Sequence, residues 1–206
     1  MGKILKITDM SGYQDAVRET AEILLHGGTA AIPTDTVYGF AASVFDEKAI
    51  DRLYQIKERS HNKSIAVLLG DIDQAHLIAQ AFSAKAQRLA EKYWPGALTI
   101  IIRKKEGLPA NLSSNHLVGL RIPDLDFARD LIRATGPLAV TSANISGEPP
   151  AKSVEEFAPH LGSALDIIID NGPSRGGVPS SVINCDEDPA VILREGAISG
   201  KELMEC

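Results

Sequence analysis

The chain has 206 residues, of which 44% are hydrophobic and 23% charged, and its formal net charge is −6. These values are ordinary for a soluble globular protein, and we predict one domain over residues 1–206. The acidic balance argues against binding of nucleic acid through a broad basic face, but it is compatible with a local basic cleft. The two cysteines, Cys185 and Cys206, are too far apart for a zinc motif and fit a reducing compartment. No apolar run approaches the roughly 20 residues that span a bilayer, so we predict a cytoplasmic protein without membrane association.

The hydrophobic pattern alternates between helices and strands along the chain. Ser11-Gly12-Tyr13-Gln14 predicts a capping box for a first helix that ends at Gly27-Gly28, and Asp46 predicts the start of a second helix. A helix is also predicted over Asp124–Thr135, and Ser153-Val154-Glu155-Glu156 predicts a second capping box. The predicted strands are Met1–Ile7, Thr29–Ile32, Tyr38–Val44, Ile65–Leu69, Ala97–Ile102, Leu117–Ile122, Pro137–Val140, Asp166–Asp170, Ser181–Cys185 and Ala190–Leu193.

This alternation predicts a layered α/β fold. Several connections are too short for a crossover helix, so the sheet is predicted to mix parallel and antiparallel strands. The common nucleotide and metal motifs GxxxxGK[ST], GxGxxG and HExxH are absent, as is the GxSxG nucleophile elbow. The five histidines show no ligand spacing.

Polar residues follow buried strands at several points where a ligand would find them. Thr34 and Thr36 lie just after a predicted strand, where α/β sheets bind ligands, although the same residues suit an ordinary turn. Ser142-Ala143-Asn144 and Ser180-Ser181 offer hydroxyl, amide and backbone donors for a phosphate, a carboxylate or a ribose.

Cations occupy two kinds of position. Lys57, Arg59 and Lys63 lie between a helix and a buried strand, where they would grip phosphates or simply complement the helix dipole. Arg121 and Arg194 end predicted strands. A buried charge is costly without a partner, so each arginine requires an internal salt bridge or an anionic ligand.

Six short motifs follow one another along the chain. They are PTDTVYG (33–39), KER (57–59), GLRIPD (119–124), TSANISG (141–147), PSSVI (179–183) and LREGAI (193–198). With these motifs in this order the chain, from about Gly28 to Gly196, resembles the YrdC-like family of threonylcarbamoyl-AMP synthases. The resemblance implies a twisted mixed parallel/antiparallel sheet with helices on both sides and a concave, basic cavity.

The resemblance also implies an activity. Members combine L-threonine, bicarbonate and ATP into threonylcarbamoyl-adenylate and pyrophosphate, with Mg²⁺ accompanying ATP and without a tightly bound cofactor. A partner threonylcarbamoyltransferase then modifies adenosine 37 of tRNA, which yields t6A. The enzyme class implied is a nucleotidyltransferase.

Position by position, the resemblance assigns roles to residues of this chain. The catalytic pair is Lys57 and Arg59, and no metal site on the protein is implied. The chain departs from the family pattern at Ser60, Lys63, Leu68 (where a histidine is usual) and Lys152. The threonine side is implied to comprise Thr36, Arg121, Ser142 and Ser180, and the ATP side Lys57, Arg59, Lys63, Asn144, Lys152 and Arg194.

Other functions stay open at this point. A YciO-like paralogue shares the fold and several motifs without this synthase activity. A protein that binds tRNA or double-stranded RNA through the cavity is a second alternative, against which the net charge argues. A small-molecule-binding scaffold without catalysis is a third.

Overall fold

The ten strands of this chain form one mixed sheet in the computed structural model, which describes residues 2–206. The predicted α/β class with parallel and antiparallel neighbours is confirmed. The strands, in chain order, are β1 (Lys3–Lys6), β2 (Ala30–Ile32), β3 (Gly39–Ser43), β4 (Ala66–Leu68), β5 (Leu98–Arg103), β6 (Leu117–Arg121), β7 (Leu138–Ser142), β8 (Ile167–Asp170), β9 (Ser181–Asn184) and β10 (Val191–Arg194).

Their order across the sheet is β1-β8-β2-β3-β7-β4-β6-β5-β9-β10. The pairs β1–β8, β2–β8, β4–β6 and β5–β9 are parallel, and the other neighbours are antiparallel. Seven α-helices flank the sheet among the described residues: α1 (Met10–Leu25), α2 (Glu47–Ile56), α3 (Ala75–Ile78), α4 (Ala84–Tyr93), α5 (Asp126–Thr135), α6 (Val154–Leu161) and α7 (Gly200–Met204).

The two faces of the sheet are covered unequally. Alternate strand residues, such as Phe40 and Ala42, join a core with α2, α3, α4, α6 and α7 on one face. Their neighbours, such as Ala41 and Val140, join a smaller core with α1 and α5 on the other face. Because two helices are too few to cover that second face, its part over β4, β6, β5 and β9 stays open.

Neither of the two predicted capping boxes forms. The N-cap of α1 is Asp9, whose Oδ1 accepts a hydrogen bond from the Gly12 amide at 2.8 Å, so the predicted capping box at Ser11 is wrong. Ser153 does precede α6, but its side chain makes no capping bond. A complete capping box forms instead between Ser199 and Glu202 at the start of α7.

The predicted strand boundaries hold to within two residues wherever the structure describes them. The first strand was predicted from Met1, which lies outside the described residues, and β1 begins at Lys3. Within residues 2–206, none of the helices has the length and apolar character needed to cross a membrane.

Replacing Asp9 by alanine is expected to lower the free energy of unfolding by about 1 kcal/mol, because the Gly12 amide loses its capping acceptor. The matched control is Ser11→Ala, which should change stability by less than about 0.5 kcal/mol. Urea unfolding of both variants measures the difference. A larger loss in Ser11→Ala than in Asp9→Ala would restore the predicted capping box.

Candidate active site

The open part of the sheet face is the floor of a cavity of about 280 Å³. Two floor positions carry almost no side chain, which leaves space above the sheet. They are Ala66, which pairs with Val140, and Gly119, which pairs with Ile101. A Cβ on Gly119 would approach Thr99 Cγ2 to 2.9 Å, so the position tolerates glycine alone without local displacement. The sheet therefore provides a shallow, largely apolar base with polar groups around it.

Arg121 ends strand β6 beside this floor, and its guanidinium is buried, at 6% exposure. Its Nε donates to Gly96 O at 2.9 Å, Nη1 to Thr36 Oγ1 at 2.9 Å and Nη2 to Asp35 Oδ1 at 2.5 Å. A guanidinium has five N–H donors, so two remain for a ligand. Arg121 can therefore form an internal salt bridge with Asp35 and still bind an anion, so the two alternatives drawn from the sequence do not exclude each other.

The turn after β2 is held by a chain of hydroxyls that begins at Arg121. Thr36 Oγ1 accepts from Arg121 and lies 3.0 Å from Thr34 Oγ1, which donates to Val37 O at 2.6 Å. Because the Thr34 proton is used, Thr36 is the donor between the two hydroxyls. Thr34 lines the cavity, in keeping with its place after a buried strand, although the family resemblance assigned it no role.

Arg59 reaches the cavity because the chain reverses direction after α2. Glu58 adopts a left-handed conformation (φ +50°), which is uncommon for a residue other than glycine. The Arg59 amide donates to Tyr54 O and the Glu58 amide to Gln55 O, at 2.9 and 3.1 Å, the two bonds of a Schellman motif. The Lys57-Glu58-Arg59 motif thus ends α2 and places the Arg59 side chain in the cavity.

The Arg59 guanidinium is anchored to the backbone that follows. Nε donates to Lys63 O at 3.1 Å and Nη2 to Ser64 O at 2.9 Å, which leaves three N–H donors. Arg59 lines the cavity, and its contact with phosphate remains a prediction.

Arg194, at the end of β10, also lines the cavity and is hydrogen-bonded to the segment that precedes β9. Its Nε and Nη2 donate to Ser180 O at 3.0 and 2.8 Å, and Nη2 also contacts Ser180 Oγ at 3.2 Å. Ser180 Oγ lies 2.8 Å from Thr99 Oγ1 in β5. Thr99 was missed from the sequence, where it is one hydroxyl in an apolar strand. Thr99 and Ile101 are two residues apart in β5 and therefore face the same side of the sheet, and this spacing could have indicated that Thr99 lies in the site.

Lys57 and Asn144 were predicted site residues, but neither side chain lines the cavity. Lys57 is 1% exposed, and its Nζ donates to Ser142 O, Asn144 O and Asn144 Oδ1 at 2.5, 2.7 and 2.9 Å. The lysine therefore connects the C-terminal end of α2 to the loop after β7 through three hydrogen bonds. Ser142 does line the cavity.

Lys63 and Lys152 also lie outside the cavity lining, and both side chains are exposed. Lys63 contributes its carbonyl to Arg59, and Lys152 lies against Gly177, where an added Cβ would meet its Nζ at 3.3 Å. Their predicted contact with ATP remains a prediction. Leu68, which stands where the family has histidine, is buried and lines the cavity.

The loop between β8 and β9 closes one side of the site. Amides of Gly176 and Gly177 donate to Asp35 O and Thr36 O at 3.1 and 2.8 Å. A Cβ at Gly176 would lie 2.6 Å from Asp35 O, so glycine is required for this approach. Tyr38 donates to Gly172 O at 2.7 Å, and burial raises its pKa to about 12, which keeps the hydroxyl protonated.

The cavity is strongly positive. Among the described residues, its lining contains the three arginines at 59, 121 and 194 and no carboxylate or imidazole, so the implied basic cavity is confirmed. Burial lowers the pKa of each arginine; Arg121 additionally lowers that of Arg194, and Asp35 partly offsets the effect at Arg121. A bound anion would relieve this cost, because it stabilises the charged forms.

Glu58 carries backbone strain that a substitution can release. Glu58→Gly is expected to be about 1 kcal/mol more stable than Glu58→Ala, because only glycine adopts this conformation without a steric cost. Guanidinium unfolding of the two variants measures the difference. Equal stabilities would show that the turn is not strained.

Known proteins resemble this chain over most of its length. The Sua5/YciO/YrdC family model, described as "Telomere recombination", matches residues 22–196. A Methanocaldococcus jannaschii protein is 33% identical, covering 99% of this chain and 98% of its own. The Bacillus subtilis protein named threonylcarbamoyl-AMP synthase is 34% identical over 96% of this chain and 58% of its own.

Structural comparison agrees with the sequence matches. The crystal structure of Pyrococcus abyssi Sua5 complexed with L-threonine superposes with a TM-score of 0.92 and 31% identity, covering 100% of this chain and 60% of that protein. The chain thus spans about three fifths of the Bacillus and Pyrococcus relatives and nearly all of the Methanocaldococcus protein. The chain belongs to the Sua5/YciO/YrdC family.

Proposed function

We propose that this protein makes threonylcarbamoyl-adenylate and pyrophosphate from L-threonine, bicarbonate and ATP. The observation that carries the proposal is one cavity that combines three arginines with the hydroxyls of Thr36, Ser142 and Ser180 and lacks a carboxylate. Such a lining suits a polyphosphate and an amino-acid carboxylate at the same time. The relative named threonylcarbamoyl-AMP synthase and the threonine complex of the Pyrococcus relative support it.

The reaction is a nucleotidyl transfer in two bond-forming steps. The threonine amine first attacks the carbon of bicarbonate and gives the N-carboxylate with loss of water. An oxygen of that carboxylate then attacks the α-phosphorus of ATP, and the bond to the β-phosphate oxygen breaks to release pyrophosphate. Catalysis of this kind rests on positioning and charge neutralisation and needs no protein nucleophile.

Each arginine takes a role that its position supports. The two free N–H donors of Arg121 bind the threonine carboxylate beside Thr36, and Ser142 and Ser180 complete the threonine side. Arg59 and Arg194, which both line the cavity, hold the phosphates and stabilise the charge that develops as pyrophosphate leaves. Lys63 and Lys152, exposed outside the cavity, add charge for phosphates that extend beyond it.

The residues of the cavity do not fit a resident metal ion. Its lining has no carboxylate, and no cluster of three or more possible metal-binding side chains occurs in residues 2–206. We propose that Mg²⁺ enters with ATP as part of the substrate. The lining also has no side chain suited to act as general base at neutral pH, so the threonine amine loses its proton to solvent or to another substrate.

The product is an activated carbamoyl group that a second enzyme must consume. We propose that a tRNA threonylcarbamoyltransferase accepts it in the cytoplasm for t6A formation at adenosine 37. Weak RNA binding by this chain remains a prediction.

The deciding experiment measures pyrophosphate released from MgATP with and without L-threonine and bicarbonate. The proposal predicts release that requires both, together with an adenylate of the expected mass. Release without threonine, or none from folded protein, would favour the YciO-like alternative, and RNA binding would then be measured at several salt concentrations.

Arg59→Ala is expected to lower kcat/KM by about 100-fold or more, because the leaving phosphates lose a fixed positive charge. Arg59→Lys should recover part of the loss. Arg18→Ala is the control, since Arg18 is exposed on α1 and pairs only with Asp15. Melting temperatures confirm folding, and near-normal turnover of folded Arg59→Ala would remove this residue from the site.

A further inference from the structure

Lys57 is fully used below the cavity and does not reach its surface. In its charged form the ammonium has three N–H donors, and three oxygens accept them: Ser142 O, Asn144 O and Asn144 Oδ1. Burial and, to a lesser degree, Arg59 lower the pKa of Lys57 to about 7, and the three acceptors favour the charged form. Its own carbonyl accepts from the Ser146 amide at 2.9 Å. No donor of this lysine is left for a phosphate.

These contacts fix the orientation of the Asn144 amide. Oδ1 accepts from Lys57 at 2.9 Å, while Nδ2 donates to Ile145 O at 2.8 Å and to Glu148 O at 2.7 Å. Rotating the amide by 180° would place its NH₂ against an ammonium and its oxygen against two carbonyls. The lysine therefore stabilises one of the two amide orientations.

The orientation of Asn144 decides where the Ser142 proton points. Ser142 Oγ donates to Asn144 Oδ1 at 2.6 Å, and this amide oxygen can only accept. The hydroxyl proton of Ser142 is therefore used in the bond to Asn144, and the lone pairs of its oxygen are left to accept a hydrogen bond in the cavity. In a cavity lined by arginine donors, Ser142 is an acceptor held in place.

We propose that Lys57 is a positioning residue: acting through Asn144, it presents Ser142 Oγ as a hydrogen-bond acceptor for an N–H of the bound amino acid. The ligand class is an α-amino acid whose amine, and later carbamate N–H, points at Ser142 while its carboxylate lies on Arg121. This inference rests on the proposed function and divides the Lys57–Arg59 motif into one residue that shapes the loop and one that meets phosphate.

The test is calorimetric titration of L-threonine and, separately, of pyrophosphate into wild-type protein and Lys57→Met. The expected result is a rise of about tenfold in the Kd for threonine, the size of one lost hydrogen bond, with the Kd for pyrophosphate changed less than about threefold. Loss of pyrophosphate affinity, equal loss of both affinities or no change in either would overturn the proposal.

A second set of variants separates positioning from general loosening of the loop and serves if Lys57→Met does not fold. Asn144→Leu removes the acceptor that Lys57 and Ser142 share and should weaken threonine binding about as much as Lys57→Met, with the Kd for pyrophosphate changed less than about threefold. In a Ser142→Ala background, Lys57→Met should change threonine affinity by less than about twofold, because the residue it acts through is gone. Independent, multiplicative losses in this cycle, or a wild-type threonine affinity in Asn144→Leu, would contradict the relay.

These measurements use binding of the free protein and do not depend on turnover. If wild-type protein binds threonine and pyrophosphate but forms no adenylate, the synthase function fails while the role of Lys57 is still decided.

Discussion

The burial of one guanidinium organises the site. Arg121 lies in the sheet at 6% exposure, and a charge in that position is stable only if its donors are satisfied. Its partners come from two separate segments, the turn at Asp35–Thr36 and the bend at Gly96 that follows α4. Removing the guanidinium would break the side-chain bonds from β6 to the turn, whereas the bend would keep the bond from the Gly96 amide to Ile122 O.

The unequal covering of the sheet determines where chemistry can take place. Five helices bury one face, whereas α1 and α5 leave the part over β4, β6, β5 and β9 open. Small floor residues keep that part shallow, and arginines from three different segments surround it. Burial lowers the pKa of all three arginines, so their positive charge carries a desolvation cost that a bound anion would offset.

Much of this arrangement could be predicted from the sequence, because apolar alternation places the strands and because the ordered motifs specify a family. The cap of α1 was misplaced since Asp9 and Ser11 are both good capping residues and only the backbone geometry selects between them. The direction of Lys57 was hidden for a similar reason. Glu58 adopts a left-handed conformation although it is not a glycine, so the sequence gives no sign of the turn. This turn places Arg59 in the cavity lining and leaves Lys57 buried outside it.

We propose that one cavity holds a nucleoside triphosphate and an amino acid together, with Arg59 and Arg194 on the phosphates and Arg121 on the carboxylate. A crystal structure with L-threonine and a non-hydrolysable MgATP analogue would show whether it does. We expect both molecules over the β4–β6 floor, with these three arginines within hydrogen-bond distance of the groups named. A nucleotide bound elsewhere, or a threonine carboxylate that does not contact Arg121, would contradict it.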